Sequence, residues 1–278
     1  MVARRRLDAE LVRRKIARSR EHAVEMIRGK RVEVGGILAV KPATVVNPDV
    51  SIRVSEAEED TYASRGAHKL LGALDAFAGD GLSLSGRRVL DAGASTGGFT
   101  DVCLRRGASE VVAVDVGYGQ LIWRLQNDPR VRVLDRTNIR GITPEMLGGR
   151  CDAMVGDLSF ISLRLVLPAI RDCMVPGADL LPMVKPQFEV GKERLGSGGV
   201  VRSAELRAEV TCDIAFFARE LGMTVRGVVA SPLPGPSGNV EYFLWLVNGP
   251  ADDGAGHAEH RDDDIRKMVE RAVEEGPK

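Results

Sequence analysis

The 278-residue sequence has no apolar run long enough to cross a lipid bilayer, and aromatic residues make up only 4% of it. Its basic start, MVARRRLDAEL, has no apolar segment behind it and does not predict a secretory signal peptide. Its four histidines show no metal-ligand spacing, and neither do its four cysteines, Cys103, Cys151, Cys173 and Cys212. We therefore expect a cytoplasmic protein with buried, reduced thiols, no metal site and no membrane partner.

Charge is balanced over the whole chain, with 39 basic and 39 acidic residues, but it is unevenly placed. Arginine and lysine crowd the N-terminal segment, whereas the segment after Pro250 is acidic. A basic end on a neutral chain is typical of a module that binds a polyanion. The alternative, a solvated helix surface without a nucleic-acid partner, stays open on charge alone.

The basic segment has the pattern of a small α+β domain. Ser19 is placed to cap a second helix that Gly29 ends, and strands are predicted over 31–37 and 50–54. Apolar residues recur at roughly helical spacing in this segment, namely Leu7, Leu11, Ile16, Ala23 and Ile27.

The stretch RLDAELVRRKIARSREHAVEMIRGKRVEVGGILAVKPATVV resembles the S4-type RNA-binding domain, with its Ser-Arg before the second helix and its glycine-bounded turn GKRVEVGG. The resemblance covers nearly all of residues 5–55 and implies RNA binding through a basic helical face. The candidate RNA-binding residues are Arg4, Arg6, Arg14, Arg18, Arg20 and Lys41, with Arg65 beyond the domain.

After residue 64 the pattern alternates between apolar strands and helices, which predicts a doubly wound, mostly parallel sheet. A helix is expected from about Ser64 to Phe77. The last two strands, over 225–230 and 240–247, are joined by SPLPGPSGN, which leaves no room for a crossover helix, so they should be antiparallel. The earlier strands end at charged residues, namely Asp91, Asp115, Asp135, Asp157 and Lys185.

The loop in LDAGASTGGFTD matches G-x-S-x-G, the nucleophile elbow of esterases. That reaction requires an acid and then a histidine after Ser95, but the later histidines, His257 and His260, lie beyond the last strand. The glycine spacing also fits neither the dinucleotide fingerprint nor a P-loop. Ser95 is therefore predicted to line a cofactor pocket rather than to act as a nucleophile.

A strand, a glycine-rich loop and a helix, followed by Asp115 at the end of the next strand, resemble the class I (Rossmann-like) S-adenosylmethionine-dependent methyltransferases. The resemblance implies that Asp115 accepts the ribose hydroxyls and that Asn138 lies near the adenine. A glycine turn with no ligand is the alternative. The candidate cofactor-binding residues are Asp91, Gly93, Ala94, Ser95, Gly97, Gly98, Phe99, Asp115, Asn138 and Asp157.

Four charged residues should meet at the carboxyl edge of the predicted sheet. Asp157 and Lys185 end the fourth and fifth strands, Glu241 starts the antiparallel last strand, and Lys69 lies near the start of the helix before the first strand. Each alone is compatible with an ordinary surface charge.

In this order and fold, the four residues resemble the catalytic set of the RrmJ/FtsJ-like ribose 2′-O-methyltransferases. No Asn-Pro-Pro-Tyr-like motif follows the fourth strand, and no cysteine stands near Lys185. We predict that Lys185 activates the 2′-hydroxyl, because burial and a neighbouring lysine both favour a neutral amine. Asp157 and Lys69 would orient it.

Residues 5–247 as a whole resemble the TlyA family, through blocks such as SRGAHKL, DVGYGQL and SPLPGPSGNVEYFLWL. The resemblance implies 2′-O-methylation of cytidine in ribosomal RNA of one or both subunits, linked to capreomycin and viomycin susceptibility. A non-catalytic ribosome-assembly factor and a haemolysin are the alternatives. Which subunit is modified and the oligomeric state stay open.

The predicted domains follow from these blocks. We assign residues 1–59 to the RNA-binding domain, 60–63 to a linker, 64–249 to the methyltransferase domain and 250–278 to an acidic tail that is either disordered or helical.

Overall fold

The computed structural model describes residues 4–17, 19–55, 62–191, 193–235, 237–250 and 261–277. The chain divides into two compact units, Met1–Thr61 and Tyr62–Lys278. Arg18, the linker residues Asp60 and Thr61, and residues 251–260 lie outside the described residues. None of the described helices is long and apolar enough to cross a membrane.

The first unit packs two helices against short strands. Leu7, Leu11 and Ile27 are fully buried in its core. Ser19 caps the second helix by accepting a hydrogen bond from the His22 amide, and Gly29 ends that helix, as predicted. The elements are β1 (Arg5–Arg6), α1 (Leu7–Arg13), α2 (Arg20–Arg28), β2 (Val32–Val34), β3 (Ile37–Leu38), β4 (Val45–Val46) and β5 (Ile52–Val54).

These short strands form two small antiparallel sheets, one of two strands and one of three. Strand β1 pairs with β4, and β2 lies between β3 and β5. The predicted α+β character of this unit is confirmed.

The second unit contains the elements that carry the candidate site. Its helices are α3 (Ala67–Phe77), α4 (Gly98–Arg105), α5 (Trp123–Gln126), α6 (Pro144–Leu147), α7 (Leu167–Asp172), α8 (Pro186–Glu189), α9 (Ala204–Glu220) and α10 (Asp262–Glu275). Its strands are β6 (Arg88–Ala92), β7 (Glu110–Val114), β8 (Val131–Leu134), β9 (Cys151–Gly156), β10 (Met174–Val184), β11 (Met223–Ala230) and β12 (Tyr242–Asn248).

Within the described residues these strands form one seven-stranded sheet in the order β11-β12-β10-β9-β6-β7-β8. Strand β12 runs antiparallel to both of its neighbours, and the pairs from β10 to β8 are parallel. The mostly parallel sheet with an antiparallel last strand is therefore confirmed. The β11–β12 register shifts between Val225 and Gly227.

Helices cover both faces of the sheet. Helices α3 and α4 pack on one face through Leu70, Phe77 and Phe99, whereas α7, α9 and α10 pack on the other. The order of the strands reverses on either side of β6, and such a point places ligands at the carboxyl edge.

Within the described residues, the predicted acidic tail forms a helix with a buried face. In α10, Ile265 and Val269 are fully buried, and Ile265 belongs to the core on that side of the sheet. Arg219 of α9 pairs with Asp262 at 2.5 Å. The described part of the predicted acidic tail therefore belongs to the second unit.

Candidate active site

Two of the four predicted catalytic residues meet because they follow neighbouring parallel strands. Asp157 comes directly after β9 and Lys185 directly after β10. The Lys185 Nζ lies 2.5 Å from Asp157 Oδ1. Both side chains therefore point into the same place at the carboxyl edge of the sheet.

The other two come from a helix start and from the antiparallel strand. Lys69 lies in the first turn of α3, and Glu241 directly precedes β12. The Lys69 Nζ lies 2.6 Å from Glu241 Oε2 and 3.7 Å from Asp157 Oδ2. Asp157 therefore bridges the two lysines, and the four groups form the continuous chain Lys185–Asp157–Lys69–Glu241.

This chain is largely shielded from solvent. Lys69, Lys185 and Glu241 are 8%, 6% and 1% exposed, and the side chain of Asp157 is 24% exposed. Two ammonium groups and two carboxylates balance in charge, which buried ionic groups require. Asp157 is the most exposed of the four side chains.

Three further residues support the chain, and sequence reasoning missed them. Lys185 Nζ donates a hydrogen bond to Ser159 Oγ at 2.9 Å, and Gln187 Nε2 donates to Glu241 Oε1 at 3.4 Å. A β-carbon at Gly235 would lie 2.7 Å from Glu241 Oε1, so the SPLPGPSGN loop needs glycine there to pack on the carboxylate. Their only signal in the sequence is their closeness to the predicted residues.

An exposed aromatic pair lies beside Lys185. Phe160 is 91% exposed and its ring lies 5.2 Å from that of Phe188. Phe160 also has a φ of +62°, a left-handed conformation that is uncommon for a bulky residue. The Lys185 Nζ lies 6.0 Å from the Phe188 ring centroid. The two rings are tilted by 46° to each other, so the exposed Phe160 ring can offer its own face to a planar group near the lysine.

Asp91, near the end of β6, is a buried carboxyl, and one of its two oxygens accepts no hydrogen bond from the described residues. Its Oδ2 accepts a hydrogen bond from Thr100 Oγ1 at 2.6 Å, whereas its buried Oδ1 has no hydrogen-bond partner among the described residues. Burial raises the pKa of Asp91 to about 7, and repulsion from Asp157 adds to this effect. An unpartnered buried oxygen at a cofactor loop fits a donor such as the ammonium of S-adenosylmethionine.

Asp115 already holds the glycine-rich loop in shape. Its Oδ2 accepts from the Ser95 amide at 2.8 Å and its Oδ1 from the Gly117 amide at 2.7 Å. Each carboxylate oxygen keeps a second lone pair, so ribose hydroxyls could still bind there. Among the described residues Ser95 has no histidine partner; its Oγ donates to Gln120 Oε1 at 3.4 Å.

Part of the glycine requirement in this loop comes from packing. Gly97 has a φ of +99°, and a β-carbon there would lie 2.3 Å from Leu125 Cδ1. A β-carbon at Gly98 would lie 2.3 Å from Ser64 Oγ. Gly93 has a φ of +86°, and its β-carbon would lie 3.0 Å from the Asp157 carbonyl. The loop is therefore pressed between neighbouring segments.

Three other predicted cofactor residues are placed differently from one another. Phe99 and Ala94 are buried, and Phe99 packs on Phe243 with ring centroids 6.1 Å apart. Asn138 is exposed, and its Oδ1 accepts from the Arg140 amide at 3.0 Å, which caps a short 3₁₀ turn. Phe99 and Asn138 each have a structural reason to be present without a cofactor.

The predicted RNA-binding arginines of the first unit differ in how free they are. Arg6 and Arg20 both pair with buried Asp8, yet their side chains remain 52% and 56% exposed. Arg4 donates to Asn47 Oδ1 at 3.0 Å, and Lys41 is exposed. In the second unit, Arg65 is exposed beside the start of α3.

Arg14 is instead occupied by protein acceptors. Its guanidinium donates to Glu10 Oε1, to the Val50 carbonyl and to the Pro48 carbonyl at 2.8, 2.8 and 2.5 Å. These bonds tie α1 to the loop before β5. We therefore assign Arg14 to the stability of the unit and leave it out of the proposed RNA surface.

Two family models match the chain, the S4 domain over residues 5–52 and the FtsJ-like methyltransferase over residues 62–248. The chain is 57% identical over 277 residues to the 16S/23S rRNA (cytidine-2′-O)-methyltransferase TlyA of Mycobacterium tuberculosis, with 100% of each chain covered. Hemolysin A of Brachyspira hyodysenteriae is 33% identical, with 87% of this chain and 99% of that protein covered.

A solved structure supports the same architecture. A candidate hemolysin from Streptococcus thermophilus superposes with a TM-score of 0.69 at 34% identity and covers 99% of this chain and 98% of that one. Both matched domains, in this order and over the whole length, show that the chain belongs to the TlyA family of FtsJ-like methyltransferases.

Proposed function

We propose that this protein transfers a methyl group from S-adenosylmethionine to the 2′-hydroxyl of a cytidine in ribosomal RNA. The observation that carries the proposal is the buried chain Lys185–Asp157–Lys69–Glu241 at the carboxyl edge of the sheet. The nucleotide and the RNA class come from the M. tuberculosis relative, whose name specifies both.

The residues around the loop after β6 would hold the cofactor, which supplies an electrophilic methyl group when it is bound. Asp91 Oδ1 would accept from its ammonium group, and Asp115 would accept from its ribose hydroxyls. The fit rests on the unpartnered buried oxygen of Asp91 and on the spare acceptor capacity of Asp115.

The four linked residues Lys185, Asp157, Lys69 and Glu241, which we call the tetrad, would position the hydroxyl and remove its proton. A ribose hydroxyl is a weak nucleophile, so its proton must leave as the new C–O bond forms. Lys185 would take that proton on its Nζ after it has released its own proton to solvent, and Asp157, 2.5 Å away, would stabilise the ammonium that re-forms. Lys69, held by Glu241, would keep Asp157 in place. Much of the rate would come from positioning.

The aromatic pair would stack on the target base. Base–aromatic stacking contributes about 1–3 kcal/mol per base and would fix the nucleotide beside the tetrad. The exposed ring of Phe160, beside Lys185, has the position that this requires.

The S4 unit would bind the RNA backbone. Arg4, Arg6, Arg20 and Lys41 keep exposed positive charge, and Arg65 adds charge next to the α3 residue Lys69. Contacts of this kind give affinity that falls with salt concentration.

The test is transfer of labelled methyl to unmodified small and large ribosomal subunits, followed by alkaline hydrolysis. A 2′-O-methyl group blocks cleavage at one linkage, so a protected linkage in either subunit is the expected result. Label without alkali resistance would assign the methyl to a base and reject the role of the tetrad. Bound RNA with neither cofactor binding nor transfer would indicate a non-catalytic assembly factor.

A further inference from the structure

Three residues at or after the end of β10, Lys185, Phe188 and Glu189, contact the segment 157–163, which we call the active-site loop. Lys185 contacts Asp157 and donates to Ser159 Oγ. Phe188 packs on Phe160, and Glu189 contacts the end of the loop. The loop is thus attached to the start of α8 at successive points, and Glu189 makes the last attachment.

Glu189 uses both of its oxygens on this loop. Its Oε2 accepts from Ser162 Oγ at 2.6 Å, and its Oε1 accepts from the Leu163 amide at 2.8 Å. Glu189 is half-buried, and burial raises its pKa against the opposing effect of the two hydrogen bonds. A glutamate is rarely placed in such surroundings unless its hydrogen bonds are needed.

The loop needs an external restraint. Phe160 has a left-handed backbone and an almost fully exposed side chain, so its own burial does little to hold that conformation. Such residues persist where the surrounding structure over-determines them. Glu189 fixes the loop three residues further on, where Leu163 is buried at the start of a 3₁₀ turn.

We propose that Glu189 is a positioning residue for methyl transfer. By accepting hydrogen bonds from Ser162 and Leu163, it keeps the active-site loop in its observed conformation. In that conformation Ser159 holds Lys185 beside Asp157, and Phe160 stays against Phe188. The proposal rests on the proposed function, because it assigns Lys185 and Phe160 a part in the reaction. Glu189 itself touches neither the tetrad nor the loop after β6 in the contacts of the described residues.

The first experiment compares Glu189→Ala with Glu189→Gln in the full chain. The alanine loses both hydrogen bonds, and kcat should fall about 10²-fold, as expected for a misplaced catalytic group. The glutamine can still accept from the Leu163 amide and donate to Ser162 Oγ, so it should stay within about threefold of the parent. Affinity for S-adenosylmethionine should be unchanged in both. Glu193→Ala, at an exposed glutamate four residues on, is the matched control.

The second experiment asks whether Glu189 acts through the loop. Ser159→Ala and the double variant with Glu189→Ala complete a double-mutant cycle, and the two losses in kcat should not multiply. Hydrogen exchange of the peptide that contains Leu163 should be faster in Glu189→Ala but not in Glu189→Gln.

The outcomes distinguish an error in the role of Glu189 from an error in the proposed function. Unchanged exchange or unchanged kcat in Glu189→Ala overturns the positioning role alone. A glutamine variant as impaired as the alanine, or loss of cofactor binding with kcat, also overturns it. Absence of ribose methylation by the parent chain overturns the proposed function, and the role of Glu189 with it, even where the exchange result holds.

Discussion

Asp8 and Glu10 in the first unit and Asp91 in the second are all buried carboxyls, but their surroundings have opposite effects. Hydrogen bonds from Arg6 and then Arg20 lower the pKa of Asp8 to about 2, and Arg13 and Arg14 do the same for Glu10. Burial without a cation raises the pKa of Asp91 to about 7. Arginine-paired carboxylates hold the first unit together, whereas the second unit keeps one carboxyl short of a partner.

The carboxylates of the tetrad, which are paired with lysines, form a third class of carboxyl group in this molecule. Arginine keeps its charge under all ordinary conditions, whereas lysine can give up a proton when it is buried. The first unit uses arginines that stay partly exposed, and the tetrad uses lysines that are 8% and 6% exposed. A carboxylate balanced by lysine, unlike one balanced by arginine, has a partner that can exchange a proton, and the proposed function requires such a partner.

Removal of Lys185, the proposed proton acceptor, should have the largest effect. Lys185→Ala should lower methyl transfer by about 10²–10⁴-fold, because the hydroxyl loses its proton acceptor. Binding of S-adenosylmethionine, measured by calorimetry, should persist. Loss of cofactor binding in this variant would instead place Lys185 among the structural pairs.

Asp91 should make cofactor binding depend on pH. Its ionised form fits the cofactor ammonium, and the pKa of Asp91 in the free protein is about 7. Below that pH, binding must release a proton, so affinity should fall by up to about tenfold per pH unit. Titration calorimetry at about pH 6 and pH 8 would measure this difference.

Asp91→Asn is the matched control for the pH effect. The amide cannot ionise, so its affinity for the cofactor should be lower and should not vary with pH. The parent protein should also become less stable as pH rises from about 4 towards 7, because the folded state binds more protons than the unfolded state in that range. If cofactor affinity or the free energy of unfolding varied equally with pH in the parent and in Asp91→Asn, the assignment to Asp91 would be contradicted.

Phe160→Ala should lower methyl transfer but leave the free energy of unfolding nearly unchanged. The side chain is 91% exposed, so the free energy of unfolding should change by less than about 0.5 kcal/mol. Methyl transfer should fall about tenfold through the loss of stacking. Leu165→Ala, at a residue that is 53% exposed nearby, should retain transfer, and Phe160→Tyr should retain most of it.

The arginine-paired carboxylates predict a different response. Glu10→Gln should lower the Tm of the first unit by roughly 5 °C, because hydrogen bonds from two arginines are weakened. Since the pKa of Glu10 is lowered to about 2, its stabilisation is present above about pH 4.5 and is lost as pH falls towards 2. Thermal unfolding of the full chain at several pH values would test this, and an unchanged acid midpoint would reject it.

The smallest effects should distinguish Lys41 from Arg14. Lys41→Ala should weaken RNA binding and reduce the salt dependence by about one charge, with stability unchanged. Arg14→Ala should destabilise the first unit by about 1–2 kcal/mol, because three protein acceptors lose their donor, and should leave the salt dependence intact. If Arg14→Ala reduced the salt dependence of RNA binding and Lys41→Ala instead lowered stability, Arg14 would have to be counted among the RNA-binding residues.

The convergence of the tetrad could be predicted because strand direction alone decides which chain segments share an edge. Asp157 and Lys185 end neighbouring parallel strands, and the antiparallel direction of β12 returns Glu241 to the same edge. No side-chain detail is needed for this inference. The predicted start of α3 at Ser64 was three residues early, since the helix begins at Ala67.

The remaining features depend on contacts between distant segments. Nothing local indicates that Arg14 bonds to carbonyls at Pro48 and Val50, or that Glu189 reaches Ser162. Asn138 has the capping ability of its residue type, and here that local bond is made. The spacing of Ile265 and Val269 was visible, but only the packing on α9 shows that they are buried.

The register shift between Val225 and Gly227 has a consequence for assembly. Strand β11 is the last strand on its side of the sheet, and such a strand can pair with another chain and start aggregation. The register shift interrupts the regular row of amide groups along the strand. Helix α10 also packs against this strand, so a chain cut before Asp262 would lose that cover and should precipitate more readily.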